Sequence, residues 1–343
     1  MRHLLNTLFI TSEDSYLSLD NENVVINRGG EVLKKLPLRM FEQILSFSYM
    51  GASPALLGAC AKRGIAFCFY KPSGRFLARV AGSNNSNVLL RKEQYRVSDS
   101  EERSCKVARN FIVGKIYNSR SVLERAKRDH ALSVDVESLA DASHEMMRLA
   151  RLAKNCTDLA VLSGLEGEAA SLYFAQFNEL ILQKKLYFKF NGRIKRPPTD
   201  PVNALLSFAY TILANDCAAA LEGVGLDPYV GFLHRDRPGR ASLALDLMEE
   251  FRSIIADRFV LTLINNRVVN EKSFSVQENG SVLLTDDARR LFLDSWQKRK
   301  QDIIMHPFLQ EKVPWGLLPF VQAQLLARFI RGDMEEYPAY LWK

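Results

Sequence analysis

Over the first eighty residues, hydrophobic positions come in short runs that often alternate with polar ones: NTLFI, YLSL, NVVI, EVLKKL, ILSFSYM, IAFCFY and FLARVAG, punctuated by Gly, Asn, Asp and Pro. That pattern predicts about seven strands. Among them SPALLGACAKR predicts one helix, with Ser53 as its N-cap, Pro54 in the first helical position and Gly64 as its stop. Residues 81–87, AGSNNSN, are small, polar turn formers and are expected to be a linker. Beyond them the apolar spacing becomes three and four, predicting helices over 88–97, 106–129, 138–156, 163–184, 201–221, 242–263 and 286–300. The expected fold class is α+β: a small N-terminal β-rich domain (1–80), a linker (81–87) and a larger all-α helical domain (88–343).

A length of 343 residues is enough for two such domains, each with its own core. A formal charge of +7 points to an anionic partner, most commonly nucleic acid. Cys60, Cys68, Cys105, Cys156 and Cys217 are scattered and include no C-x-x-C pair, which disfavours a disulfide framework and a structural zinc site and suggests a reducing cytoplasm. The start, MRHLLNTLFI, does not read as a signal peptide, and no segment has about 18 uninterrupted apolar residues, so no membrane is expected. The phosphate-binding loop, dinucleotide fingerprint, serine-hydrolase elbow and H-E-x-x-H motifs are all missing, removing support for those chemistries.

Candidate chemistry lies in three places. Along SLALDLMEEFRSIIADRF, Asp246, Glu249, Glu250, Ser253 and Asp257 recur at helical steps and predict one acidic stripe. A solvated outer face is the ordinary explanation; a divalent cation on hard oxygens is the sharper one. Glu166 opens a predicted helix with Ser163 three residues before it, which fits a capping box as well as a site. His234 stands in the basic loop GFLHRDRPGR, 12 residues before Asp246, near enough to fold over the stripe or to remain a surface histidine. Eight Lys or Arg against one acid, Glu124, lie between Arg103 and Arg128, with Phe111 and Tyr117 interleaved. Further basic groups at Arg193, Lys195 and Arg196, at Arg235, Arg237 and Arg240, and at Lys298, Arg299 and Lys300 are candidate DNA phosphate contacts.

Four stretches together resemble a known family: GLEGEAASLYF at 164–174, RPPTDPVNALLSFAYTIL at 196–213, GFLHRDRPGRASLALDLMEEFR at 231–252, and GI-x-F-x-F at 64–69 followed by SGR at 73–75. That family is the CRISPR-associated integrase that captures new spacers. The resemblance implies a dimerising β-rich domain and a helical catalytic domain with Glu166, His234 and Glu249 as catalytic metal ligands, where some relatives carry Asp at the last position; Asp246 matches a further acidic position. It implies Mg²⁺ or Mn²⁺ as cofactor and phosphoryl transfer, in which a DNA 3′-hydroxyl attacks a phosphodiester to give integration, or water attacks to give endonuclease cleavage. Its implied partners are double-stranded DNA (prespacer and CRISPR repeat), a second copy in a homodimer, and a small companion adaptation protein in a hetero-hexamer. Two other readings remain open: a repair nuclease that cuts branched DNA without joining, and a non-catalytic DNA-binding scaffold.

Overall fold

The computed structural model describes residues 7–41, 43–71, 76–80, 88–183, 185–194 and 197–342. The expected linker at 81–87, the SGR at 73–75, and the candidate DNA contacts Lys195 and Arg196 lie outside the described residues. In chain order the first strands are β1 (Thr7–Ile10), β2 (Ser15–Asp20), β3 (Asn23–Arg28), β4 (Glu31–Pro37) and β5 (Gln43–Ser46). Helix α1 (Pro54–Arg63) and strands β6 (Ala66–Tyr70) and β7 (Phe76–Val80) follow, matching the strand-rich region read from the pattern. Then come α2 (Val88–Ser98), α3 (Glu101–Asp129), α4 (Val136–Lys154), α5 (Leu159–Ala175), α6 (Pro201–Gly223), α7 (Ser242–Met248), a π-helix (Arg252–Asp257) and α8 (Arg258–Asn265). The remaining elements are β8 (Phe274–Val276), β9 (Val282–Leu284), α9 (Asp286–Gln301), β10 (Ile303–Met305), β11 (Lys312–Pro314) and α10 (Leu318–Ile330). The fold is α+β, strand-rich first and mostly helical afterwards.

The chain divides into two compact units, the first comprising Met1–Asn85, Leu284–Asp302 and Pro314–Leu317. Its larger sheet runs β1-β5-β6-β7, with β1, β5 and β6 parallel and β7 antiparallel; β2-β3-β4 form an antiparallel meander. The inward residues Leu17, Val24, Ile44 and Phe67 meet Leu56 and Cys60 of α1 in one apolar core. The ends of α1 follow the sequence signals: Ser53 Oγ accepts from Leu56 N at 3.2 Å, and Gly64 closes the helix at φ +69°. Helix α9, whose pattern continues the helical region, belongs to this first unit.

The second unit comprises Ser86–Leu283, Ile303–Val313 and Leu318–Lys343. Long α3 lies against α4 and α5, and α6 packs with α7 and α10. By length and composition α6 is apolar enough to cross a membrane, but 67% of its apolar window is buried, as in a core helix. Its start is legible: Asp200 caps Asn203 N at 2.8 Å, and Pro201 follows.

Two helices differ from expectation. Helix α5 begins at Leu159, capped by Asp158, whose Oδ1 accepts from Ala160 N (2.7 Å) and Val161 N (2.9 Å). Ser163 therefore lies inside the helix and donates back to Leu159 O, so the Ser163–Glu166 capping box does not form. The expected helix 242–263 is interrupted: α7 ends at Met248, a turn carries Glu249 and Glu250, and the chain then winds as a π-helix before α8. Widened turns of this kind concentrate at functional sites. Helix α10, which the pattern does not single out, has Pro319 in its first turn, where a missing N–H costs nothing.

Candidate active site

The loop carrying His234 is built on one buried carboxylate. Asp246, 0% exposed in α7, accepts from Phe232 N (2.7 Å) and Leu233 N (2.9 Å) through Oδ2, and from His234 N (3.0 Å) through Oδ1. The same Oδ1 lies 2.5 Å from His234 Nδ1. Four contacts occupy the acceptor sites of the carboxylate, so Asp246 binds the loop and orients the imidazole, leaving Nε2 as the nitrogen available to a ligand. The turn requires glycine at 231: a Cβ there would lie 2.8 Å from Ser242 Cβ and 2.9 Å from both Asp246 Oδ2 and His234 O.

Glu249 stands one turn beyond Asp246, at the break between α7 and the π-helix. It is buried, and its Oε1 pairs with Arg252 at 3.0 Å while Lys115 Nζ of α3 comes within 2.7 Å of its Oε2. Lys115 also donates to Glu166 Oε1 of α5. One ammonium thus joins the two carboxylates that the family resemblance assigned to metal. Burial opposes ionisation of Glu249, but the Arg252 guanidinium and the Lys115 ammonium outweigh it and hold the carboxyl at about 2. Its neighbour behaves oppositely. Burial pushes Glu250 up to about 8 despite hydrogen bonds from Tyr340, Tyr337 and Gln322. Asp257, hydrogen-bonded to the Tyr210 hydroxyl at 2.5 Å, is likewise raised by burial, to about 6.

The predicted acidic stripe therefore does not exist as one face. Asp246, Glu249, Glu250, Ser253 and Asp257 are all buried, which also removes the solvated-face explanation. The turn and π-helix break the expected helical phase, and the carboxylates reach four separate environments: the His234 loop, Lys115 with Arg252, Gln322 with Tyr340, and Tyr210.

Among the described residues, no three His, Cys, Asp or Glu side chains close on a single metal-sized point. The Lys115 ammonium stands there instead, a positive charge between Glu166 and Glu249. The donor chemistry still suits a hard divalent cation. Two carboxylates converge on one cation, Lys115, and an imidazole is held through Nδ1, leaving Nε2 unused by Asp246.

Beside Glu166 opens a cavity of about 660 Å³ lined by Lys115, Phe174, Phe190, Arg193, Tyr210 and Arg252 among others. Arg193 and Arg252 both lie over the Tyr210 ring, at 5.2 and 5.1 Å from its centroid. Arg193 also donates to Asn203 Oδ1 (2.6 Å) and Ser207 Oγ (3.1 Å), so of the basic candidates it is a fixed cation next to the site. Arg235 and Arg237 are exposed on the His234 loop, and Arg240 is tied back to Ser242 Oγ and Arg235 O. Lys298, Arg299 and Lys300 belong to the first unit: Lys298 is exposed, Arg299 pairs with Asp302 at 2.7 Å, and Lys300 is buried.

Sequence reasoning missed Lys115 as an individual, since it is one of eight Lys or Arg in the basic run 103–128. It also gave no role to Tyr210 or Gly231. Arg252 pairs with Glu249, and its position three residues later was the available signal.

The profile of the family described as CRISPR associated protein Cas1 matches residues 8–298. The chain is 47% identical over 343 residues, 100% of both proteins, to one from Chlorobaculum tepidum named CRISPR-associated endonuclease Cas1 1. Its fold resembles a casposase bound to integration product, with a TM-score of 0.81, 22% identity, and coverage of 98% of this chain and 94% of that one. It also resembles part of a Cas6-RT-Cas1–Cas2 complex, with a TM-score of 0.81, 23% identity, and coverage of 100% of this chain and 36% of that one.

Proposed function

From a chain that belongs to the Cas1 family of CRISPR-associated proteins, we propose a metal-dependent DNA endonuclease and integrase that inserts new spacer DNA into a CRISPR array. The observation that carries this reading is the convergence of Glu166 and Glu249 on one cation, Lys115, in a unit whose His234 is oriented by a fully engaged Asp246. Glu166, Glu249 and His234 are the residues that would hold Mg²⁺ or Mn²⁺. A cation bound there supplies Lewis acidity toward the phosphodiester and offsets charge growing on its oxygens.

The chain's own residues prepare the rest. Glu249, held at about 2, stays ionised as a ligand throughout the physiological range. Asp246 fixes the imidazole by accepting from Nδ1, so the lone pair lies on Nε2. Lys115, released from between the carboxylates, and Arg252 are cations placed to meet phosphate oxygens. In the joining reaction a DNA 3′-hydroxyl displaces a 3′-oxygen from phosphorus, exchanging one phosphodiester for another; with water as nucleophile the bond is hydrolysed.

The names of the relatives support the reading: an endonuclease at 47% identity and, by fold, a casposase bound to integration product. The similarity to part of a complex whose name includes Cas2 supports a companion protein of that kind; the homodimer, the hetero-hexamer and the prespacer and repeat DNA are proposed from the family resemblance alone.

The test is joining of a fluorescent short duplex to a repeat-bearing plasmid, with Mn²⁺ or Mg²⁺ and the companion protein. Wild type should give joined product, and Glu166→Ala, His234→Ala and Glu249→Ala should not. Equal product from all four proteins would overturn the ligand assignment. Cleavage of branched DNA with no joined product would favour the repair-nuclease reading, and neither activity would favour a scaffold.

A further inference from the structure

One face of α3 is occupied by a segment from much later in the chain. Phe111, Gly114, Asn118, Ser121 and Arg125 recur along that helix at steps of four and three, and each meets residues 337–342 or Glu250. Phe111 packs edge-on against Tyr337, with centroids 5.2 Å apart. At Gly114 a Cβ would come within 3.1 Å of Glu250 Cγ and 3.5 Å of Ala339 Cβ. Asn118 Nδ2 donates to Glu250 O (2.7 Å) and Tyr340 O (2.8 Å), while its Oδ1 accepts from Trp342 N (2.8 Å). Ser121 Oγ donates to Trp342 O at 3.4 Å, and Arg125 and Arg258 both lie over the Trp342 ring, 5.6 and 4.3 Å from its centroid.

On the other side, the segment holds the turn that carries Glu249. Tyr340 N donates to Glu250 Oε2 at 2.8 Å, and Gln322 Nε2, 2.9 Å from the same oxygen, also reaches Tyr337 Oη and Pro338 O. Lys115 follows Gly114 directly, and Glu249 directly precedes Glu250. The two residues that face each other in the site are therefore backed at adjacent positions, directly by Asn118 and Gly114 on Glu250 and, on both sides at once, by residues 337–342.

We propose that residues 337–342, seated on Asn118 of α3 and on Glu250, are a positioning element of the active site that sets the spacing between Lys115 and Glu249. Glu250 is thereby a positioning residue that acts through the segment. This inference rests on the integrase reading for its kinetic consequence alone. A small displacement at a reacting centre costs rate far more than binding, whereas the DNA-facing residues remain untouched.

The test compares wild type, Glu250→Ala, Trp342→Ala and the near-isosteric Glu250→Gln in the full chain with its companion protein. Amide hydrogen exchange is read over 337–342 and 111–121, and kcat and KM over strand joining. Both alanine variants should exchange faster in both stretches. They should lose ~10-fold in kcat with KM for DNA changed by less than about twofold, and Glu250→Gln should restore both readouts. Trp342→Ala removes only a partly exposed ring, so it keeps the test decisive if Glu250→Ala does not fold. Faster exchange with unchanged kcat, slowed joining with unchanged exchange, or equal damage in Glu250→Gln would each overturn the proposal. Should wild type join no DNA, the integrase reading fails separately, and joint loosening of 337–342 and 111–121 still decides whether the segment sets the spacing.

Discussion

Replacing Asp246 by asparagine changes one oxygen into an NH₂ while conserving shape, and the hydrogen bonds of this carboxylate say where that group must go. Oδ2 serves two backbone donors, Phe232 N and Leu233 N; Oδ1 serves one backbone donor, His234 N, and the only partner able to reverse its role, His234 Nδ1. The amide nitrogen should therefore take the Oδ1 position and donate to Nδ1. One buried N–H then loses its acceptor, about 2 kcal/mol, and the two remaining backbone bonds lose charge assistance, about 1 kcal/mol together. A total of about 3 kcal/mol leaves a folded protein. The chemical effect is larger than the structural one: the imidazole proton is forced onto Nε2, and the lone pair proposed for a metal disappears, for which ~10–100-fold loss in metal affinity and joining rate is expected. Urea unfolding measures the first effect, Mn²⁺ titration and joining kinetics the second, and ¹⁵N histidine spectra the tautomer. A variant that keeps the Nδ1–H tautomer, or joins DNA at the wild-type rate, would refute the orienting role.

Three more outcomes follow from the same geometry. Gly231→Ala should cost ~1–3 kcal/mol by overpacking, since its Cβ meets backbone and carboxylate atoms at 2.9 Å; thermal unfolding checks it, and an unchanged Tm would mean the loop has room. Lys115→Met leaves Glu166 and Glu249 without their shared cation and should lose ~3 kcal/mol in chelator; Mn²⁺ at about 100 times its Kd should return ~2.7 kcal/mol, and a melting temperature indifferent to Mn²⁺ would contradict a metal site there. Glu250, folded, holds its proton up to about 8, whereas the unfolded chain releases it near 4.5, so its contribution is complete below pH 4.5 and is lost as pH rises to about 8. Wild type should accordingly lose about 4 kcal/mol more than Glu250→Gln between pH 4.5 and 8, read by unfolding at several pH values, and parallel pH curves would show that the carboxyl is not held neutral.

Much of the fold was legible because its signals are local. Ser53, Pro54 and Gly64 bracket α1, and Asp200 and Pro201 open α6, through contacts within a few residues of themselves. Glu166, His234 and Glu249 were reached through motif resemblance, since spacing alone left a cap, a surface loop and a solvated face equally open. The interruption at Glu249 was not legible. An uninterrupted apolar pattern from 242 to 263 looks like one helix, and the groups that stabilise the turn, Asn118 and Tyr340, lie 132 residues before and 90 residues after Glu250. Lys115 was obscured for a related reason: a lysine on a basic helix declares itself only when the two distant carboxylates are placed beside it.

The bonds of Asn118 also set an order of events during synthesis. A chain made from its N-terminus can wind α3 early, since helices close in microseconds or less and translation adds ~5–20 residues per second. The partners that Asn118 meets at Tyr340 and Trp342 are 222 and 224 residues downstream, so they leave the ribosome at least ten seconds after it by that rate. Until then α3 presents an unfilled face, Glu250 lacks its backbone donor from Tyr340, and only the direct contacts of Asn118 and Gly114 with Glu250 stand behind Lys115 and Glu249. By the proposed role of that segment, a nascent chain gains its cutting geometry only after residues 337–342 have emerged and seated on α3.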